Sequence, residues 1–350
     1  LFNQLGYANS VHSQHVKAPE RSGLYYFRAS TASGQQFSFP WVVAPKKPSA
    51  RLAVLASNLT WNAYNSFGGR SNYIHADGLP RTPTINSRVE LKRYSDSGFL
   101  TWNSDNYPPL SFDRPEPYNH INFDEKITDP IESRQGCHLA PAEWRLLGWL
   151  ERENFAYDYY AETQLHNGTL DLSQYKALIT SVHPEYWTEP MFTMVCHNGK
   201  LTGLDTKGLG GFESRYAIRY ESEAGLLGVV FTPAGAMTGA PYRVQDGSHW
   251  VFENTGLKSG DLFGEKSLHR RCPGGASGHE TDKVSPSSPA GITHLAKGTN
   301  ENEGGAQMIT FDTPSGGKVF SVGSINYVSS LPIDEKVSQI TSNVLRRFLV

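Results

Sequence analysis

The order of apolar and polar positions changes character along the chain. Residues 23–29 and 36–43 read as β-strands around a turn-rich stretch at 30–35, which predicts a hairpin. A proline-bearing run at 44–48 follows. Residues 1–48 are therefore expected to be a β segment, either the tail of an upstream β domain or a sheet edge. Beyond it, residues 51–57 and 176–182 are short continuous apolar runs of the kind buried on both faces of a parallel sheet. Between them, residues 141–152 place proline in a first helical turn and Leu146, Leu147 and Leu150 at helical spacing, and a strand-like run at 155–160 comes next. A second crossover helix is predicted from Thr188 as N-cap, with Pro190 in its first turn, to Asn198-Gly199 as C-cap, leading into a strand at 200–205. This βαβαβ order predicts an α/β catalytic domain over 49–350. Residues 306–312 and 318–322 are predicted strands. A last helix from Asp334 sets Val337, Ile340, Val344, Leu345 and Phe348 on one stripe that should dock on the sheet. The long stretches 58–138 and 206–300 resist assignment and are expected to cover the site.

Composition narrows the class. Thirty-two Lys and Arg against thirty-four Asp and Glu leave a net charge of −2, so no global field draws the chain to nucleic acid or an anionic membrane. Seventeen Tyr, seventeen Phe and seven Trp exclude disorder through low hydropathy. No apolar run approaches the roughly 18 residues that span a bilayer. The chain opens on Leu1, as expected of a piece of a longer protein. Cys137, Cys196 and Cys272 form no CxxC pair, which argues against a disulfide framework or a zinc knuckle and favours a reducing, cytoplasmic compartment.

In an open α/β sheet, chemistry gathers beyond the carboxyl ends of the strands. There the chain offers residues 58–73 after the first strand and His183-Pro184-Glu185-Tyr186-Trp187 after the strand at 176–182. His183 and Glu185 stand two apart and project to one side if the backbone stays extended. Together they suit a proton-transfer pair or metal ligands; the plainer alternative is a surface loop whose carboxylate caps the following helix. No cysteine occupies the strand-to-helix turn, Ser181 lacks a Gly-x-Ser-x-Gly elbow, and Gly68-Gly69 arrive without phosphate-loop spacing. Thiol, serine and nucleotide chemistry are thereby disfavoured. A tyrosine could act as a phenolate only beside a strong cation, such as a hard metal ion.

Five short motifs stand in order: Ala63-Tyr64-Asn65 with Gly68-Gly69-Arg70-Ser71, Ser111-Phe112-Asp113-Arg114-Pro115, His183 to Trp187, Gly278-His279-Glu280-Thr281-Asp282, and Val319-Phe320-Ser321-Val322-Gly323-Ser324-Ile325. With them the chain, over roughly residues 20–350, resembles the C-terminal domain of the large (β) subunits of N,N-dimethylformamidases. The resemblance implies a glutamine-amidotransferase-like (flavodoxin-like) three-layer α/β sandwich with long loop insertions. It also implies one mononuclear non-haem iron and hydrolysis of a small substituted amide. Carried over by motif, Tyr64, Tyr118 and Glu185 would hold the metal, with Tyr107 in reserve for Tyr118, and His183 and Glu280 would be the proton-transfer pair. A small second subunit and a homo-oligomer are the implied partners. Where the family pattern has Gly-Asn-Gly-Phe, this chain reads Gly208-Leu209-Gly210-Gly211-Phe212, so an asparagine that could contact the substrate is absent and the amide's identity stays open. Alternatives of other kinds are a family member without catalysis that binds a ligand or subunit, and a hydrolase built on zinc. Read without the resemblance, Glu280 is an exposed loop carboxylate and His279 a solvated loop residue.

Overall fold

A computed structural model describes residues 15–67, 71, 110–188, 190, 191 and 222–350. The predicted strand at 200–205, most of the second crossover helix, Cys196, Tyr107 and the glycine-rich run at 208–212 lie outside those residues.

Strands β1 (Gly23–Ser30) and β2 (Gln36–Val43) form the antiparallel hairpin, with Gly23 opposite Val43 and Ser30 opposite Gln36. Ser22 fastens its foot to the next sheet: Oγ accepts the Tyr159 amide at 2.7 Å and donates to the Tyr159 carbonyl at 3.2 Å. That sheet has β3 (Leu52–Ala56) between β4 (Tyr157–Ala161) and β5 (Ala177–Thr180), all parallel. Every residue of β3 is buried, and its two faces feed different clusters. Leu52, Val54 and Ala56 join the main core, while Ala53 and Leu55 pack with Tyr160, Leu165, Leu170 and Met191. Cover on both faces is the reason the strand reads as an unbroken apolar run.

Helix α1 (Asn58–Tyr64) follows β3 directly, and the short α2 (Gln135–His138) precedes α3 (Ala140–Arg152), the crossover to β4. Pro141 sits in the first turn of α3, where its missing N–H forfeits no helical bond. Leu146, Leu147, Trp149 and Leu150 of α3 are buried. The short α4 (Glu162–His166) leaves the end of β4.

A second, antiparallel sheet runs in the order β10 (Lys318–Ser321), β9 (Gln307–Asp312), β8 (Thr293–Gly298), β6 (Tyr242–Val244), β7 (Leu262–Phe263). The strands expected at 306–312 and 318–322 are β9 and β10, side by side. Helix α5 (Glu335–Phe348) starts on Asp334, whose carboxylate accepts the amides of Lys336 and Val337. Its stripe is buried at Val337, Ile340, Val344 and Leu345, and Phe348 lies at the margin. One cluster joins Leu52 and Val54, Leu146 and Trp149, Tyr242, Leu295 and Met308, and Val337 and Ile340, so both sheets and both long helices share a core. Among the described residues, no helix is long and apolar enough to cross a membrane.

Two glutamates are fully buried within this frame. Glu143 of α3 accepts the Ser57 amide at 3.0 Å and Trp61 Nε1 at 2.9 Å through Oε1, and the Tyr159 hydroxyl through Oε2. Glu162 of α4 accepts the Leu59 amide at 3.0 Å and Trp187 Nε1 at 2.7 Å, tying the start of α1 to the loop after β5. Burial raises Glu143 to about 7 and Glu162 to about 8, against the pull of these donors.

Replacing Glu143 with Leu strands three buried donors and is expected to cost about 3 kcal/mol or more in denaturant unfolding. The raised acids also fix a pH trend. Between the ordinary glutamate value and about pH 8 the folded chain binds more protons than the unfolded one. Their contribution is complete below the unfolded value and is lost as pH rises through 7 and 8. The urea midpoint should fall over that window, and Glu162→Gln should flatten the fall; an unchanged slope would contradict the assignment.

Candidate active site

The ends of β3 and β5 are laced together by serines. Ser57 Oγ donates to the Ser181 carbonyl at 2.8 Å, and Ser181 Oγ donates to the Leu55 carbonyl at 2.6 Å. Beyond that lacing, β5 stops at Thr180 and Val182 turns into left-handed backbone, φ 46°, which a β-branched residue rarely adopts. The strand thus ends two residues short of the apolar run at 176–182. His183 and Glu185 do not lie in extended chain either: the Glu185 amide donates to the His183 carbonyl at 3.0 Å, a three-residue turn. The turn still presents both side chains to one point. Thr60 of α1 holds it, donating to the His183 carbonyl at 2.8 Å and accepting the Glu185 amide at 3.1 Å.

Tyr64 closes α1. Its exit is wrapped by Arg114 of the second motif, whose guanidinium donates to the carbonyls of Asn62, Asn65 and Phe67 and to Asn62 Oδ1 at 2.7–3.2 Å. Helix C-termini leave carbonyls without intrahelical donors, and Arg114 supplies them. Glu280 arrives from the other side. It lies between two short ladders, Ser277–Gly278 paired with Gly239–Ala240 and Thr281–Lys283 paired with Val230–Thr232. The backbone swings there at Gly278, φ 155°, where a Cβ would meet the Thr238 carbonyl oxygen at 1.9 Å, so only glycine fits.

Four of the five residues singled out in the sequence converge. The Tyr64 hydroxyl donates to Glu185 Oε2 at 3.0 Å. His183 Nε2 lies 3.4 Å from Glu185 Oε2 and 3.4 Å from Glu280 Oε2. The fifth, Tyr118, reaches the same loop one step away, its hydroxyl 2.5 Å from Ser66 Oγ. Glu185 also accepts the Tyr186 hydroxyl at 3.0 Å on Oε1, so its carboxylate faces two phenols.

Two residues of the site carried no signal in spacing or motif. Arg134 brings Nη2 to 3.4 Å from Glu280 Oε1 and its guanidinium carbon to 5.4 Å from the centre of the Tyr64 ring. His138, buried in α2, meets His183 nitrogen to nitrogen, Nδ1 to Nδ1, at 3.2 Å, and packs edge-on against Tyr64 with centroids 4.6 Å apart. Both were hidden in the unassigned stretch 58–138.

The charges are strongly coupled. Burial, then Glu185 and Glu280, push the Tyr64 phenol well above its ordinary value, so it keeps its proton unless a cation comes to it. Burial alone would lower the His183 imidazole, but Glu185 and Glu280 outweigh it and hold it above the usual histidine value. Glu280 is the mirror case. Burial opposes its charge, and the bond to His183 with Arg134 nearby still keeps it below the ordinary range. Burial drives His138 well below the usual value, so it is neutral.

His279 is not a solvated loop residue: it is fully buried, at φ 69°. Cys137, His269 and His279 bring donor atoms within 4.8 Å of one another, a convergence that the cysteine spacing does not foreshadow. Yet His269 Nδ1 accepts the amides of Arg271 and Cys272 at 3.1 and 2.9 Å. Its neutral ring therefore carries the proton on Nε2, and neither nitrogen has a free lone pair for a metal. Cys137 and Cys272 are free and buried.

A family model described as N,N-dimethylformamidase beta subunit-like, C-terminal, matches residues 10–200 and 197–341. The N,N-dimethylformamidase beta subunit of Paracoccus aminophilus is 23% identical over an alignment that covers 94% of this chain and 52% of that protein. The beta subunit from an Alcaligenes species is 24% identical over 60% of this chain and 37% of that protein. The chain thus spans about half the length, or less, of these relatives. Matched along most of its length, it belongs to the N,N-dimethylformamidase beta subunit-like C-terminal family.

Proposed function

We propose that this chain is the catalytic part of an iron-dependent amidohydrolase, built on a glutamine-amidotransferase-like α/β domain. It would cleave a small N-substituted amide, dimethylformamide-like, to a carboxylic acid and an amine. The observation that carries this reading is the meeting of the Tyr64 hydroxyl with Glu185 at 3.0 Å, with the His183–Glu280 pair directly against it. The names of the relatives, each a beta subunit, support work alongside a second subunit. Free buried cysteines fit a reducing cytoplasm.

The donor chemistry fits a hard cation. A phenol pressed against carboxylates in a buried site is costly to ionise alone, and a highly charged ion relieves that cost at all these oxygens together. Tyr64 and Glu185 would hold the iron, with Tyr118 as the further phenol beside Ser66. Bound there, iron supplies a Lewis acid for the amide carbonyl. The chain's own residues handle the proton. Arg134 and His183 keep Glu280 ionised, and Glu280 and Glu185 in turn hold a proton on His183 Nε2. The His183–Glu280 pair takes a proton from the water that adds to the amide carbon and returns one to the amide nitrogen, so that the C–N bond breaks with a neutral amine leaving. Thr60, Glu162 and Arg114 keep the loop and α1 in register while this happens.

The purified chain is expected to contain about one iron by elemental analysis and to absorb in the visible through phenolate-to-ferric charge transfer, and to release amine in a screen of formamides and acetamides. Tyr64→Phe should lose both the colour and the metal; a folded wild type that is colourless and metal-free after iron loading would overturn the proposal. His183→Gln should lower kcat by roughly 10²–10⁴-fold while iron content stays at the wild-type level, as expected when proton transfer alone is removed. Retained turnover in that variant would exclude His183 from the pair.

A further inference from the structure

Carboxylates that hold a metal are themselves hydrogen-bonded, and that outer bond orients the oxygen presented to the ion. The two oxygens of Glu185 are divided in this way. Oε2 faces the site: the Tyr64 hydroxyl donates to it at 3.0 Å, and His183 Nε2 stands 3.4 Å away. Oε1 accepts the hydroxyl of Tyr186, also at 3.0 Å. Tyr186 lies inside the motif that supplied His183 and Glu185, but no role attaches to it there. Side chains of sequence neighbours point apart in extended chain, so the contact is a product of the turn. Both ends of that turn are anchored. The Glu185 amide is bound by the His183 carbonyl at 3.0 Å and Thr60 Oγ1 at 3.1 Å, and on the far side Trp187 Nε1 donates to buried Glu162 at 2.7 Å. Tyr186 stands between these two fixed neighbours.

We propose that Tyr186 is a positioning residue for the iron site: by occupying Oε1 it leaves Glu185 to ligate through Oε2 alone. This rests on the reading of Tyr64 and Glu185 as iron ligands. Its consequence is room around the ion. A carboxylate that binds through both oxygens fills two coordination positions, and one that binds through a single oxygen fills one. Restraint on Oε1 thus keeps a position open, and amide hydrolysis uses such room, because the carbonyl and the attacking water must both come close to the Lewis acid. Tyr64 and Tyr186 address different oxygens of the carboxylate, one as a ligand and the other as a support.

The test is infrared difference spectroscopy on the full chain with ¹³C-carboxylate glutamate, comparing the ferric-loaded and metal-free protein. In the wild type, loading should produce a glutamate pair whose asymmetric and symmetric stretches lie further apart than in a free carboxylate, the mark of binding through one oxygen. In Tyr186→Phe the two stretches should draw together as Oε1 joins the ion. Iron content and the phenolate-to-iron band should stay, and amide turnover should fall about 10- to 100-fold. Replacing Tyr186 by p-aminophenylalanine, a weaker donor of similar reach, should keep the wide pair and move the stretch of the unligated oxygen to higher frequency; this variant decides the matter if the Phe variant fails to fold. Closely spaced stretches in the wild type, or a spectrum indifferent to residue 186, would overturn the inference. So would loss of the phenolate band in Tyr186→Phe but not in Tyr118→Phe, since Tyr186 would then be a ligand. A chain that takes up no iron overturns the reading beneath the inference together with it; one that takes up iron with Tyr186 indifferent overturns the inference alone.

Discussion

A half-buried phenol pointed at a half-buried carboxylate, 3.0 Å apart and with a second carboxylate close by, is the constraint around which the rest of this molecule is arranged. Taken alone it is an unfavourable concentration of acidic oxygen, largely shielded from solvent. Hydrogen bonding holds it together only while the phenol keeps its proton, and the only fixed positive charge described beside it is Arg134. Such a site requires the oxygens to be held from outside.

That external hold comes from three directions. Arg114 closes the end of α1, Thr60 ties α1 to the turn at His183–Glu185, and Glu162 ties the beginning of α1 to Trp187 beyond the turn. Glu280 is supplied by a different part of the chain, pinned between two short ladders. The shared core under both sheets fixes that part relative to the parallel sheet. The acid of one region thereby meets the histidine of another.

How much of this the sequence disclosed follows from how local each cause is. Hairpin, β3, β4, β5, α3 and α5 were legible because their apolar patterning is periodic or continuous over four or more residues: Leu52 to Ala56 is apolar throughout, and Val337, Ile340 and Val344 recur at helical spacing. The ladders at 277–283 are two and three residues long, and nothing in so short a run separates them from loop. His183 and Glu185 stood out at the end of a predicted strand, Tyr64 and Glu280 came from motif resemblance, and their mutual distances come only from the folded chain. His138 and Arg134 could not be found that way. Each is one polar residue in an unpatterned stretch, and its importance arises from a neighbour 45 or 146 positions away. Glu143 and Glu162 look like ordinary helix-surface acids until both prove to be fully enclosed.

Val182 carries one more implication. Its backbone occupies a region that glycine enters freely and valine resists, yet its side chain packs against two separate apolar clusters. The residue least at ease is also among those least able to relax, since rotating the backbone back would pull an isopropyl group from both clusters. The direction in which His183 leaves the sheet is consequently inherited from the hydrophobic interior, and softening the interior there would blur the aim of the imidazole without touching any polar atom.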